Sequence, residues 1–475
     1  LREESFSEEH FVRKKIRDLV LKAQESEMKL SEMMKSISAL ERRLLAELRK
    51  PETKEEIQAK INSLVKQYFS LEKPKFIPGK TKLPLVTPSF AAEEVNEAID
   101  SMLTTYVTMG KKVKMFEEAF SKYIGMRNAI LVNSGSSANL LALSALKNPV
   151  LQNCLKPGDE IITPATTWAT TVYPINDIGA IPVFVDVDLE TMNIDVEKIE
   201  DAITPKTRAI MPVHLLGNPC DIKEIMEIAS SHNLIVIEDT CESYGATVKG
   251  KKVGSFGDIS TYSFFFAHHI TTIEGGMILT NNEDYYEVMK AMRAFGWIRD
   301  LKDKIKIAQQ YKHIDSRFLF VNTGFNFRPT EIQGAFGIHQ MKKLEKFIHI
   351  RIDNAKYLQK QLEPYSDYIF MQKEKPGNRH VYFAFGLVTR DTAPFTRDEL
   401  TKFLEERLIE TRPIEIPNIV EQPVINLLNH RVSGNLSNSN YLMKNSFFIG
   451  NNQDIGKEER EYIVNTIIEF IEKRV

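Results

Sequence analysis

Seven short apolar runs recur between residues 128 and 280: NAILVNS (128–134), EIITPA (160–165), IPVFVDVD (181–188), AIMPVHLL (209–216), LIVIEDT (234–240), ISTYSFFF (259–266) and GGMILT (275–280). Runs of this length that are nearly continuous rather than alternating read as strands buried on both faces. Helical segments lie between most of them, among them SANLLALSALK (137–147) and DIKEIMEIASSH (221–232). Parallel strands need long crossovers, and helices supply them. The alternation therefore predicts an α/β fold over residues 90–345, a mostly parallel central sheet flanked by helices. Residues 346–475 mix helices with a strand-like HVYFAFGLV (380–388) and predict a smaller C-terminal α+β domain.

Residues 1–50 have another character. They contain no Gly or Pro, and Val12, Ile16, Leu19, Ala23, Leu30, Met33, Ile37, Leu40 and Leu44 follow a three-and-four spacing broken at Ser26. That spacing predicts a helical, coiled-coil-like extension ended by Pro51. It serves either to pack on its own domain or to dock a second copy or partner. Residues 51–89 predict an amphipathic helix (Ile57, Ile61, Leu64, Val65, Tyr68) and then a linker, since KPKFIPGKTKLPLVTPSF (73–90) carries four prolines.

Charge balance narrows the partners. The 62 Lys+Arg nearly cancel 64 Asp+Glu, which gives no electrostatic case for nucleic acid or an anionic membrane. No apolar run approaches the roughly 18 residues of a membrane span. The three cysteines, Cys154, Cys220 and Cys241, are scattered, as expected of a cytoplasmic protein, and cannot supply the four thiolates of an all-cysteine iron–sulfur cluster.

Three motifs carry chemistry. NSGSSAN (133–139) joins a strand to a helix, a turn that aims N–H groups and hydroxyls at a phosphate, though such turns are often only structural. IEDTCES (237–243) ends an apolar strand with Asp239 and Glu242. A buried carboxylate there calls for a cation such as a protonated pyridine, or else Asp239 is a helix N-cap. SFFFAHHITTIEGGM (263–277) puts His268 and His269 at a strand end, where one of them could act as acid or base. Neighbouring side chains on a strand face opposite ways, so the pair is not a metal chelate and no metal site is expected.

Together with TMGKKVKMFEEAF (108–120), PATTWATT (164–171), LLGNPCD (215–221) and FNFRPTEIQGAFG (325–337), these motifs are similar in order and spacing to the sugar aminotransferase family (the DegT/StrS group) of pyridoxal-phosphate enzymes, whose fold is that of aspartate aminotransferase (fold type I). The resemblance covers residues 80–475. Family aminotransferases have a Schiff-base lysine where this chain has His268, and neither Lys252 nor Lys290 fits the motif. The resemblance is therefore to the nucleotide-sugar 3-dehydratases, and to their type without an iron–sulfur cluster (the GDP-4-keto-6-deoxymannose 3-dehydratase type), through CESYGAT (241–247), GWIRDL (296–301) and ETRPI (410–414).

The resemblance implies roles by position. Gly135, Ser136 and Ser263 bind the phosphate of pyridoxal 5'-phosphate or its pyridoxamine form; Trp168 stacks on the ring; Asp239 pairs with the ring nitrogen, with Glu242 supporting. Thr105, Tyr106, Val107, Thr108, Phe295, Arg299, Arg328 and Glu410 contact substrate or the carboxylate of L-glutamate, the amino donor. His268 moves the protons while the 3-hydroxyl of a nucleotide-linked 4-keto-6-deoxy sugar departs, in 3,6-dideoxyhexose synthesis for surface polysaccharide. A cytoplasmic homodimer is expected by analogy. Two positions depart from the relatives: Phe295 replaces a histidine, and TTIEGG replaces TTGEGG. The competing readings are an aminotransferase using another lysine, and a catalytically silent scaffold acting through its N-terminal helices.

Overall fold

The computed structural model describes residues 2–24, 30–48, 52–71 and 75–475. Its contacts form two compact units that divide between Leu64 and Val65. The first contains helices Arg2–Gln24 and Leu30–Leu48 and most of Lys54–Ser70. The expected interruption at Ser26 and the stop at Pro51 lie outside the described residues. Along the expected seam, Leu19 and Leu40 are exposed.

In the second unit, strands β1 (Asn128–Val132), β2 (Glu160–Pro164), β3 (Ile181–Val185), β4 (Thr207–Ile210) and β5 (Ile235–Asp239) alternate with helical segments. A small hairpin, β6 (Thr247–Val248) and β7 (Lys251–Lys252), precedes β8 (Ile259–Ser263) and β9 (Gly276–Thr280). Later come β10 (Ile369–Met371), β11 (Asn378–Arg379), β12 (Phe385–Thr389), β13 (Thr411–Arg412), β14 (Arg431–Val432) and β15 (Ser446–Ile449). The main sheet runs β1-β9-β8-β5-β4-β2-β3-β14. Its pairings from β8 to β14 are parallel, and only those of β9 with β1 and β8 are antiparallel. Buried Ile, Val, Leu and Met side chains fill both faces, which is why these runs show no alternation.

A second sheet, β10-β12-β15-β13, is antiparallel and packs on the long helix Glu331–Leu362 and the C-terminal helix Lys457–Glu472. The division expected at residues 345 and 346 falls inside that 32-residue helix, and β14 joins the main sheet although it comes late in the chain. Residues 75–91 are not a free tether. The Leu83 N–H donates to Leu408 O at 2.8 Å, Glu410 N–H donates to Leu83 O at 3.0 Å, and Leu83 is buried.

Two strands are shorter than their apolar runs suggest. β8 stops at Ser263 because its partner β9 begins at Gly276; Phe264 N–H still donates to Gly275 O, and residues 265–270 then turn away from the ladder. HVYFAFGLV is a strand only from Phe385, because its first residues bond elsewhere. Val381 N–H donates to Gly217 O, Phe383 N–H donates to Leu216 O, and Val381 O accepts from His269.

Candidate active site

The carboxyl ends of β1, β2, β4, β5 and β8 open onto one cavity of about 550 Å³. In open α/β sheets this end is where ligands bind. The helix Gly135–Leu146 starts there, separated from β1 by two residues. Ser134 caps it, its Oγ accepting from Ser137 N–H at 3.1 Å. Gly135 and Ser136 present the first turn to the cavity beside Ser263. A side chain at Gly135 would collide with Ser263, so only glycine lets this helix end approach β8 so closely. Unpaired N–H groups and the helix dipole together favour an anion.

Asp239 ends β5 and is buried. Its Oδ2 accepts from Asn139 Nδ2 at 3.1 Å and Thr171 Oγ1 at 2.9 Å, and its Oδ1 accepts from Cys241 N–H at 3.2 Å. No helix follows it, which removes the N-cap reading. Among the described residues no basic side chain pairs with it, so the donor set suits a cationic ligand atom. Trp168, 54% exposed, stands on the same wall just before helix Ala169–Asp177. Glu242 is buried, and its Oε2 accepts from Leu216 N–H at 2.6 Å. Burial and the neighbouring Glu415 carboxyl push the Glu242 carboxyl well above its ordinary range. Desolvation likewise raises Glu415. Two neighbouring carboxyls of this kind favour holding one proton between them.

His268 lines this cavity from the turn after β8. Its ring lies 5.3 Å from that of Phe383 and 6.2 Å from that of Tyr244, and its Nδ1 is buried without a hydrogen-bond partner. Burial, reinforced by the charge of Arg351, pushes its pKa down to about 3. The imidazole is thus neutral at ordinary pH, the form that accepts a proton. His269 is fully buried, its Nε2 bonded to Val381 O at 3.0 Å. No lysine is among the residues that line the cavity. Lys252 stacks over Tyr123 and Lys290 pairs with Glu287.

The expected substrate residues divide. Glu410 lines the first cavity, where its Oε2 accepts from Leu85 N–H at 3.2 Å. Tyr106, Thr108, Arg299 and Arg328 instead line a second cavity of about 1030 Å³, which shares no lining residue with the first. Phe295 sits beneath the Arg328 guanidinium, 4.9 Å from it, and Thr105 and Val107 are exposed. Sequence reasoning missed Asn139, Thr171, Phe383 and Glu415. Asn139 belongs to a motif already singled out, so its one-turn offset from Gly135 was an available signal; Phe383 and Glu415 had none.

Residues 88–468 match the model of the DegT/DnrJ/EryC1/StrS aminotransferase family. The chain belongs to that family. It is 39% identical over 391 residues to the GDP-4-keto-6-deoxy-D-mannose 3-dehydratase of Yersinia pseudotuberculosis, which covers 81% of this chain and 98% of the relative. It is 35% identical over 437 residues to the dTDP-4-dehydro-2,6-dideoxy-D-glucose 3-dehydratase of Saccharopolyspora spinosa, covering 89% and 93%. A crystal structure of GDP-4-keto-6-deoxymannose-3-dehydratase with a trapped PLP–glutamate geminal diamine superposes with a TM-score of 0.77 at 37% identity, over 81% of this chain and all of that one. The fold is therefore the α/β fold type I of pyridoxal-phosphate enzymes, and within the family the chain stands with nucleotide-sugar 3-dehydratases.

Proposed function

We propose that the protein is a pyridoxal-phosphate- and glutamate-dependent dehydratase that removes the 3-hydroxyl of a nucleotide-linked 4-keto-6-deoxyhexose. The observation that carries this reading is the composition of the first cavity. It gathers a helix N-terminus, a buried acceptor carboxylate and an exposed indole, with a neutral histidine where a lysine would have to stand. The residues fit the cofactor: Asp239 lacks a cationic partner among the described residues, and Gly135 leaves the helix end open.

In this reading Gly135, Ser136 and Ser263 hold the phosphate, Trp168 covers the ring face, and Asp239 keeps the ring nitrogen protonated. When bound, the cofactor supplies an amino group and an electron sink. Glu242, sharing a proton with Glu415, presents a hydrogen-bonding carboxyl to the same site. His268, neutral and unable to form a covalent bond with the cofactor aldehyde, takes a proton on its imidazole and returns one to the departing hydroxyl. Phe383 and Tyr244 limit water around the ring. Across the whole reaction the sugar loses one oxygen, and glutamate leaves as 2-oxoglutarate and ammonia, so the atoms balance.

A cytoplasmic homodimer is part of the proposal. Tyr106, Thr108, Arg299 and Arg328 are held away from the first cavity, and a second protomer offers the way to bring such residues to a shared site. Arginine forks of this kind suit a diphosphate or a carboxylate. GDP and dTDP both occur among the relatives, and Phe295 is placed to affect that choice.

The test is the mass of the sugar after incubation with pyridoxal phosphate, glutamate and GDP-4-keto-6-deoxymannose, then with the dTDP analogue. Loss of one oxygen from either sugar, with 2-oxoglutarate and ammonia released, is the expected result. A sugar that gains an amino group would establish an aminotransferase instead.

A further inference from the structure

Arg351 lies on the helix Glu331–Leu362, is 3% exposed, and has no carboxylate partner among the described residues. Its Nη1 donates to Phe383 O at 2.7 Å and to Asn451 O, and its Nε has no partner. Burying an unpaired guanidinium is costly, and apolar residues often replace buried ions without loss of stability. Packing alone does not account for an arginine here. Its surroundings do: Asn451 Nδ2 donates to both Arg351 O and Tyr382 O, His269 bonds Val381 O, and the Phe383 ring rests against His268. Arg351 is thus tied to the backbone of residues 382–383, and the Phe383 ring forms the back of the His268 site.

We propose that Arg351 is a positioning residue for His268: it anchors the Phe383 wall that supports the imidazole and places a fixed positive charge behind the ring. The proposal rests on the role assigned to His268 above. A cation there disfavours a second cation on the ring, in the same sense as burial, which is the larger influence. The other titratable groups are His269 and Tyr244 beside the ring, and Asp239, Cys241, Glu242, Glu274, Glu410, Arg412 and Glu415, which line the same cavity. Of the charged groups, Arg351 is the one that shifts the imidazole, and it keeps the ring unprotonated.

The experiment follows the rate of His268 carbethoxylation by diethyl pyrocarbonate against pH, read by peptide mass spectrometry on cofactor-free protein. Its outcome does not depend on turnover. In Arg351→Met the midpoint of the titration is expected to rise by about half a pH unit or more, with Arg351→Lys close to the parent. An unchanged midpoint in a folded Arg351→Met protein would overturn the proposal. Phe383→Leu keeps the cation and removes the wall, which covers the case of an unfolded Arg351→Met. It is expected to increase the reaction rate at pH 7 severalfold, and an unchanged rate would count against the anchoring role. If His268→Asn retains full turnover, the catalytic reading fails whatever Arg351 does.

Discussion

His268 is kept neutral by its surroundings rather than by a hydrogen bond, because Nδ1 has no partner and the ring sits against Phe383 and Tyr244. A general base in this position contributes about 10²–10⁴ in rate. Replacing His268 by Asn is therefore expected to lower turnover by that factor while pyridoxal phosphate still binds, seen as cofactor absorbance with a lost dehydration rate. The Glu242–Glu415 pair supplies a second residue-scale prediction. Both carboxyls have raised pKa values in the folded protein. A raised value contributes stability that is complete below the unfolded pKa and is lost as pH rises through the folded one. Glu415→Gln removes that loss, so the variant should be more stable than the parent by about 1 kcal/mol at pH 8, seen as a higher melting temperature, with little difference at pH 4.5. Equal differences at both pH values would show that the pair does not share a proton.

At the scale of elements, the turn between β8 and β9 decides where the histidines go. Ile273 in this turn has φ +72°, left-handed backbone that a β-branched residue adopts only under strain. Its side chain is half exposed and buries little. Ile273→Gly is accordingly expected to stabilise the protein by roughly 1 kcal/mol, read from the urea midpoint, without altering the turn. The helix that begins at Gly135 makes the opposite prediction. Gly135→Ala forces a methyl into Ser263, a strain of about 1–3 kcal/mol that falls on the anion-binding helix end. Pyridoxal-phosphate affinity should drop about tenfold or more in a spectroscopic titration.

Over the whole molecule, buried histidines set the response to acid. His268 and His380 are pushed down to about 3 and His269 well below its ordinary value, mainly by burial. For a depressed pKa the stability is present above the unfolded value, near 6.5, and is lost as pH falls toward the folded one. Near pH 5.5 unfolding should therefore take up almost three protons on these imidazoles. The carboxyl proton shared by Glu242 and Glu415 opposes this there, which leaves a net uptake near two, or about 2.7 kcal/mol per pH unit, with a smaller slope near pH 6.5 and a larger one near pH 4.5. Urea midpoints at pH 6.5, 5.5 and 4.5 check the slope. A flat profile would mean that the three imidazoles are reached by protons in the folded state.

The sequence by itself determined the layered architecture, because doubly buried strands must be apolar throughout and the crossovers between them must be helical. It also narrowed the chemistry open to three loci, since Gly135, Asp239 and His268 stand in motifs whose residue types limit what they can do. Strand ends were less legible: Phe264 and Val381 have the side chains of strand residues, but Phe264 O accepts from Thr272 within the turn and Val381 N–H donates to Gly217 O, and pairing is a property of two segments. The tertiary structure alone decided that Glu415 meets Glu242, that Phe383 backs His268, and that Arg299 and Arg328 line a cavity separate from Asp239. Each of these joins segments far apart in the chain. Local spacing records which face a side chain takes; it does not record which distant residue will be buried against it, and burial against a neighbour is what sets the charge of His268 and Glu242.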